Sequence, residues 1–277
     1  MLFPRHLPTP TVEQALSWLG ATQERDVRAD PEHVLAAAGA ALRLGPDHLG
    51  RGAAGRLQAL RSLALLELKR FDEAREAAAL ATDLGPLEPQ AMAVAAMACF
   101  RTADFAAAAV AAQALTAASP RDPRAWHLLG RISLWLGPPA HADEAFAHAA
   151  ALVPHRFAVP HRVSPEEFDG LAGDAVSAIP APVAAALDNV MFRAFPLPPR
   201  EEVVGGLPPD LLGLYTGPTL AARGTPLYPA RVALYQLNIE TGCGDAAALA
   251  AQVRRVVMHE VGHHFNMGHD ELRAAGL

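Results

Sequence analysis

One short stretch of the sequence has residue types and spacing suited to a reaction: His259-Glu260-Val261-Gly262-His263, close to the end of a 277-residue chain. On an α-helix, side chains four apart differ by about 40° in direction and about 6 Å in height, so the two imidazoles reach one point in space. Two imidazoles meeting there suit a zinc ion, which lowers the pKa of a bound water to about 7. Glu260 adjoins the first histidine, where a carboxylate can take the proton of that water as it attacks a carbonyl. The chemistry this describes is metal-assisted hydrolysis, with His259 and His263 as ligands and Glu260 as general base.

A catalytic zinc takes three protein ligands and keeps one position open. With 14 residues after His263, a glutamate ligand from a distant downstream helix is not expected, and the candidates are His264, His269, Asp270 and Glu271. His264 is turned about 100° from His263 and reads as a supporting or surface histidine. His269 gives His-x-x-x-His-x-x-Asn-x-x-His, a spacing that resembles the metzincin peptidases, with Asn266 where those have glycine. The chain must turn there through a left-handed conformation, and asparagine is the next most tolerant residue after glycine. His269 is therefore expected as the third ligand, and Asp270, one residue on, is the alternative. No methionine follows His269 in the sequence, so no Met-turn is expected.

The elements that must position these groups are legible nearby. A helix is expected from about Asp245 to Phe265, with Leu249, Val253, Val256, Val257 and Val261 on one broad apolar face. Val190–Phe195 and Arg231–Leu237 read as strands, and Leu211–Leu220 as a third with a turn at Gly217-Pro218. Ser164-Pro165-Glu166-Glu167 has the pattern of a helix start running to about Ile179, before Pro180. Together they predict a small α+β domain over 156–277. Tyr215 is a further candidate, as a hydrogen-bond donor to an oxyanion; Tyr235 reads more simply as a half-buried strand residue. The Pro-rich stretch 153–165 reads as a linker, and His155 and His161 within it as solvated.

The N-terminal half has a different logic. Pro86, Pro120 and Pro154 recur every 34 residues, and Ala74, Ala108 and Ala142 keep the same interval. That period predicts stacked helical hairpins. Trp126, Leu129, Gly130, Ala142, Phe146, Ala149 and Pro154 fall at the spacings of the tetratricopeptide repeat (TPR), which this segment resembles. Gly130 and Ala142 would let two helices approach, while Trp126 and Phe146 would fill the space between hairpins. Helices are expected near Ala53–Leu68 and Asp72–Leu84, a weaker unit over 87–120, and one more hairpin over 11–46 as an atypical cap. Residues 1–155 are thus expected to form an all-α TPR-like solenoid offering a groove to a protein partner.

The C-terminal part as a whole resembles the minimal-zincin, or zincin-like metallopeptidase, family of bacteria. The likeness runs through FDGLAGDAVSAIP (168–180), LDNVMFRAF (187–195), LLGLYTG (211–217), ARVALYQLNIE (230–240) and HEVGHHFNMGHDEL (259–272). The family's closing stretch is His-Glu-x-x-His-His-Phe-Gly-x-x-Asp, so His259, Glu260, His263, His264 and Phe265 match it. Asn266 replaces the glycine and His269 the aspartate, and the resemblance implies that His269 takes over the aspartate's role as third metal ligand. It further implies a zinc cofactor and a metal-dependent hydrolase.

Composition narrows the rest. With 23 basic against 29 acidic residues and a net charge of -6, no basic face for nucleic acid or an anionic membrane is expected. Two cysteines supply neither a disulfide framework nor a cysteine zinc site. The proline-studded start is not a secretory signal, and charges interrupt every apolar run, so a cytoplasmic protein is expected. Its substrate would be a peptide or protein. The competing expectation is an interaction scaffold whose zincin module binds zinc without turnover.

Overall fold

A computed structural model describes residues 8–84, 89–218, 230–268 and 270–271, and the chain divides into two compact units. The first comprises Met1–Val153 with Pro199–Pro209; the second comprises Pro154–Pro198 with Asp210–Leu277.

The first unit opens with α1 (Val12–Ala21), α2 (Glu24–Ala29), α3 (Pro31–Leu42) and α4 (Pro46–Leu49). Residues 11–46 are therefore not the single hairpin expected. Asp30 accepts from the His33 amide and Pro31 stands at the first helical position, so a new helix starts there. Three hairpins follow: α5 (Arg51–Glu67) with α6 (Phe71–Asp83), α7 (Pro89–Arg101) with α8 (Phe105–Ala118), and α9 (Pro123–Ser133) with α10 (Pro139–Leu152). The second helix of each begins at Phe71, Phe105 or Pro139, which keeps the 34-residue interval. Pro86, one of the expected stops, lies outside the described residues.

Small residues bring these helices together. Ala74, Ala108 and Ala142 are all fully buried, and Ser62 donates to the Ala74 carbonyl at 2.7 Å, tying α5 to α6. A Cβ added at Gly130 would lie 2.6 Å from the buried Phe146 ring, so the glycine is needed for the approach of α9 to α10. Trp126 does not fill a gap between hairpins: it is half-buried, stacked on His148 at 4.3 Å, with Nε1 donating to the Pro120 carbonyl.

In the second unit the expected linker is docked over part of its length. The His161 amide donates to the Cys243 carbonyl at 2.7 Å, and Arg162 pairs at 2.9 Å with the fully buried Glu240. Helix α11 (Pro165–Ser177) begins with the expected reciprocal cap between Ser164 and Glu167. After α12 (Ala181–Ala184) comes strand β1 (Val190–Phe195). The chain then leaves for the first unit, where α13 (Arg200–Val204) packs. Val203 is buried in that unit's core, Arg75 donates to the Val204 carbonyl at 3.3 Å, and Arg200 sits 5.3 Å over the Phe105 ring. Gly206, at φ +104, lies so close under Phe71 that any side chain would clash. The expected division into 1–155 and 156–277 contains no such excursion.

Back in the second unit, β2 (Gly213–Thr216) and β3 (Ala230–Tyr235) complete a sheet of order β1-β3-β2, with β1 parallel and β2 antiparallel to β3. The third strand stops at Tyr235, two residues sooner than expected, because α14 (Gln236–Glu240) starts there. Gln236 Nε2 donates to Glu240 Oε1 at 2.7 Å across that single turn. Finally α15 (Ala246–His264), capped by Asp245, buries Leu249, Val253, Val256, Val257 and Val261 as its pattern requires.

The contrast between two glycines checks this packing. Gly130→Ala is expected to destabilise by about 1–3 kcal/mol through overpacking. Gly170→Ala, on the exposed side of α11 with nothing within 4 Å, should instead stabilise by about 0.5–1 kcal/mol. Denaturant unfolding of both variants followed by circular dichroism reads the two signs.

Candidate metal centre

The helix that carries the histidines exists because its opposite face is apolar. Val253, Val256, Val257 and Val261 anchor α15 in the core, which leaves His259 and His263 half-buried on the other side. Their Nε2 atoms lie 3.2 Å apart, and the rings meet edge to face at 85°. Two nitrogens bound to one tetrahedral zinc at about 2.0–2.1 Å stand about 3.3–3.4 Å from each other, so the pair fits that ion without rearrangement. The donor chemistry fits too, since both are imidazole nitrogens.

Glu260 is on the inner side of the same turn and is 5 % exposed. Burial pushes its carboxyl up to about 7, while the Tyr215 backbone N–H pulls in the opposite direction by donating to the carboxylate. Space for it comes from β2: a Cβ at Gly213 would fall 2.9 Å from Glu260 Oε1 and 2.8 Å from Val256 Cγ1. Gly213 is thus a site residue that pattern reading passed over. Its signal was a glycine inside a strand, which marks a close approach.

His264 faces away from the histidine pair, as its helical angle requires, but it is not on the surface. It is buried, with Nε2 3.2 Å from the Ala186 carbonyl and Nδ1 2.9 Å from the Tyr215 hydroxyl. Tyr215 in turn donates to the Pro218 carbonyl at 2.7 Å. The hydroxyl considered for an oxyanion is therefore engaged in fastening β2 to α15. Tyr235 is buried at 1 % exposure.

The helix ends as expected at position 266, where Asn266 adopts φ +63. His269, the expected third ligand, lies outside the described residues. Asp270 is exposed, and among the described residues no group of three or more His, Cys, Asp or Glu side chains is gathered to hold a metal. Among the described residues, too, no helix is long and apolar enough to cross a membrane.

Residues 187–277 match the family described as zincin-like metallopeptidase, and this part of the chain is a zincin-like metallopeptidase domain. The match begins just before β1, so it is shorter than the sequence resemblance, which began at Phe168. No curated protein matches the chain.

The burial of Glu260 has a measurable sign. In metal-free protein the folded carboxyl titrates near 7 and the unfolded one near 4.5. Below 4.5 both states are protonated and burial of a charge is not at issue. As pH rises through this window the unfolded state loses its proton first, so stability falls, and the loss levels off above 7 at about 3 kcal/mol. Glu260→Gln removes this dependence. In the presence of chelator it should be more stable than the parent at pH 8 and lose that advantage near pH 4.5, as read by urea unfolding.

Proposed function

We propose that the protein is a zinc-dependent peptidase, with His259, His263 and His269 as metal ligands and Glu260 as general base. What supports this most is the imidazole pair at 3.2 Å beside a buried carboxylate, inside a zincin-like metallopeptidase domain. Zinc bound by these residues would supply Lewis acidity, a water acidic enough to attack at neutral pH, and a nearby charge favouring the ionised form of Glu260. Glu260 takes the proton of the attacking water at its carboxylate and delivers it to the amide nitrogen that leaves. The Tyr215 N–H and the wall at Gly213 fix the direction of that carboxylate, and its burial keeps bulk water from competing for the proton.

The helical hairpins have no chemistry of their own. We read them as TPR-type repeats that present a surface to a substrate protein or partner, in a cytoplasmic enzyme whose catalytic part spans the C-terminal half.

The test is Glu260→Gln, assayed for zinc content and for hydrolysis of an unfolded protein substrate and a quenched-peptide mixture. Zinc should stay while turnover falls by at least ~100-fold. Equal turnover in parent and variant overturns the base assignment, and a zinc-loaded parent that hydrolyses nothing favours the scaffold. For the ligand set, His269→Ala should weaken zinc binding far more than Asp270→Ala, measured side by side by chelator competition; the reverse order transfers the role to Asp270.

A further inference from the structure

The end of α15 does more than stop a helix. The Asn266 amide donates to the His263 carbonyl at 3.0 Å, and the Met267 amide donates to the Gly262 carbonyl, also at 3.0 Å. With Asn266 at φ +63, these two bonds make the closed left-handed turn that ends many helices. The turn folds the next carbonyl back over the preceding coil of the helix. The Met267 carbonyl thereby lies 3.2 Å from His263 Nδ1.

A carbonyl only accepts, so the proton of a neutral His263 is on Nδ1. That leaves Nε2 with a bare lone pair, and Nε2 is the atom aimed at His259 Nε2. The opposite tautomer would set a lone pair against the carbonyl oxygen and block the ligating nitrogen with a hydrogen. Histidines that bind metal commonly donate their other N–H in this way, which fixes the ring and makes the free nitrogen a better donor.

We infer that Asn266 is a positioning residue for metal binding: its left-handed turn delivers the Met267 carbonyl to His263 Nδ1 and so holds His263 with Nε2 free for the metal. This rests on His259 and His263 being the ligands proposed above. It gives the Asn266 turn a role at a ligand that precedes it, separate from any role in bringing position 269 back.

The test compares the parent with Asn266→Gly, Asn266→Ala and Asn266→Val. Glycine adopts the turn freely, alanine resists it, and a β-branched valine resists it most. In metal-free protein, ¹⁵N–¹H spectra of the histidine rings report which His263 nitrogen is protonated, and chelator competition reports zinc affinity. The parent and Asn266→Gly should both carry the proton on Nδ1 and bind zinc within about 3-fold of each other. Asn266→Val should lose the tautomer preference and bind zinc about 10–100-fold more weakly, with Asn266→Ala between them. Should the valine variant fail to fold, the alanine variant carries the comparison. A proton on Nε2 in the parent overturns the inference, as does a folded valine or alanine variant with unchanged tautomer and affinity. A parent with the Nδ1 tautomer and no zinc affinity upholds the positioning of the ring and overturns the metal reading instead.

Discussion

The carboxylate of Glu260 is held away from water, and much of the second unit is arranged around that constraint. An isolated buried charge is costly, so the carboxyl either stays protonated or finds donors. The sheet edge supplies one donor, the Tyr215 N–H, and can do so only because Gly213 lets β2 come within touching distance of α15. The same tyrosine reaches His264 through its hydroxyl, so β2 is fastened to the helix twice, by main chain at Glu260 and by side chain one turn later. His264 extends the fastening to the Ala186 carbonyl, just before β1.

Helix α15 divides its labour by angle. Residues 253, 256, 257, 260, 261 and 264 face inward, while 259 and 263 share the outer side. Because i and i+4 lie on one side of a helix, the spacing that buries the valines also pairs the histidines. The apolar contacts on one side are therefore what hold two polar rings at ligand distance on the other.

How much of this the sequence disclosed depended on how local the cause was. The histidine pair, the α15 face, the Ser164–Glu167 cap and the start of β1 follow from spacing over a few residues, and all are visible in SPEEF, HEVGH and their flanks. The left-handed Asn266 was legible because so few residue types tolerate that conformation. Other features were not legible because their causes are far away in sequence. Gln236 leaves the strand for a helix that turns a buried Glu240 toward Arg162, 78 residues earlier. Gly213 is marked by its place in a strand as a close approach, but the groups it approaches, Val256 and Glu260, lie far along the chain. The start of the first unit differs from the single hairpin expected over 11–46 because Asp30 and Pro31 begin a new helix within it.

The excursion through 199–209 changes what counts as a separable piece of this chain. Between β1 and β2, both in the second unit, the polypeptide visits the first and leaves Val203 in its core. A cut in the 153–165 stretch would thus not yield two self-sufficient polypeptides. The C-terminal product would carry α13 with no pocket to receive Val203, and the N-terminal product would have a hole where Val203 belongs and a Phe71 no longer covered by Gly206.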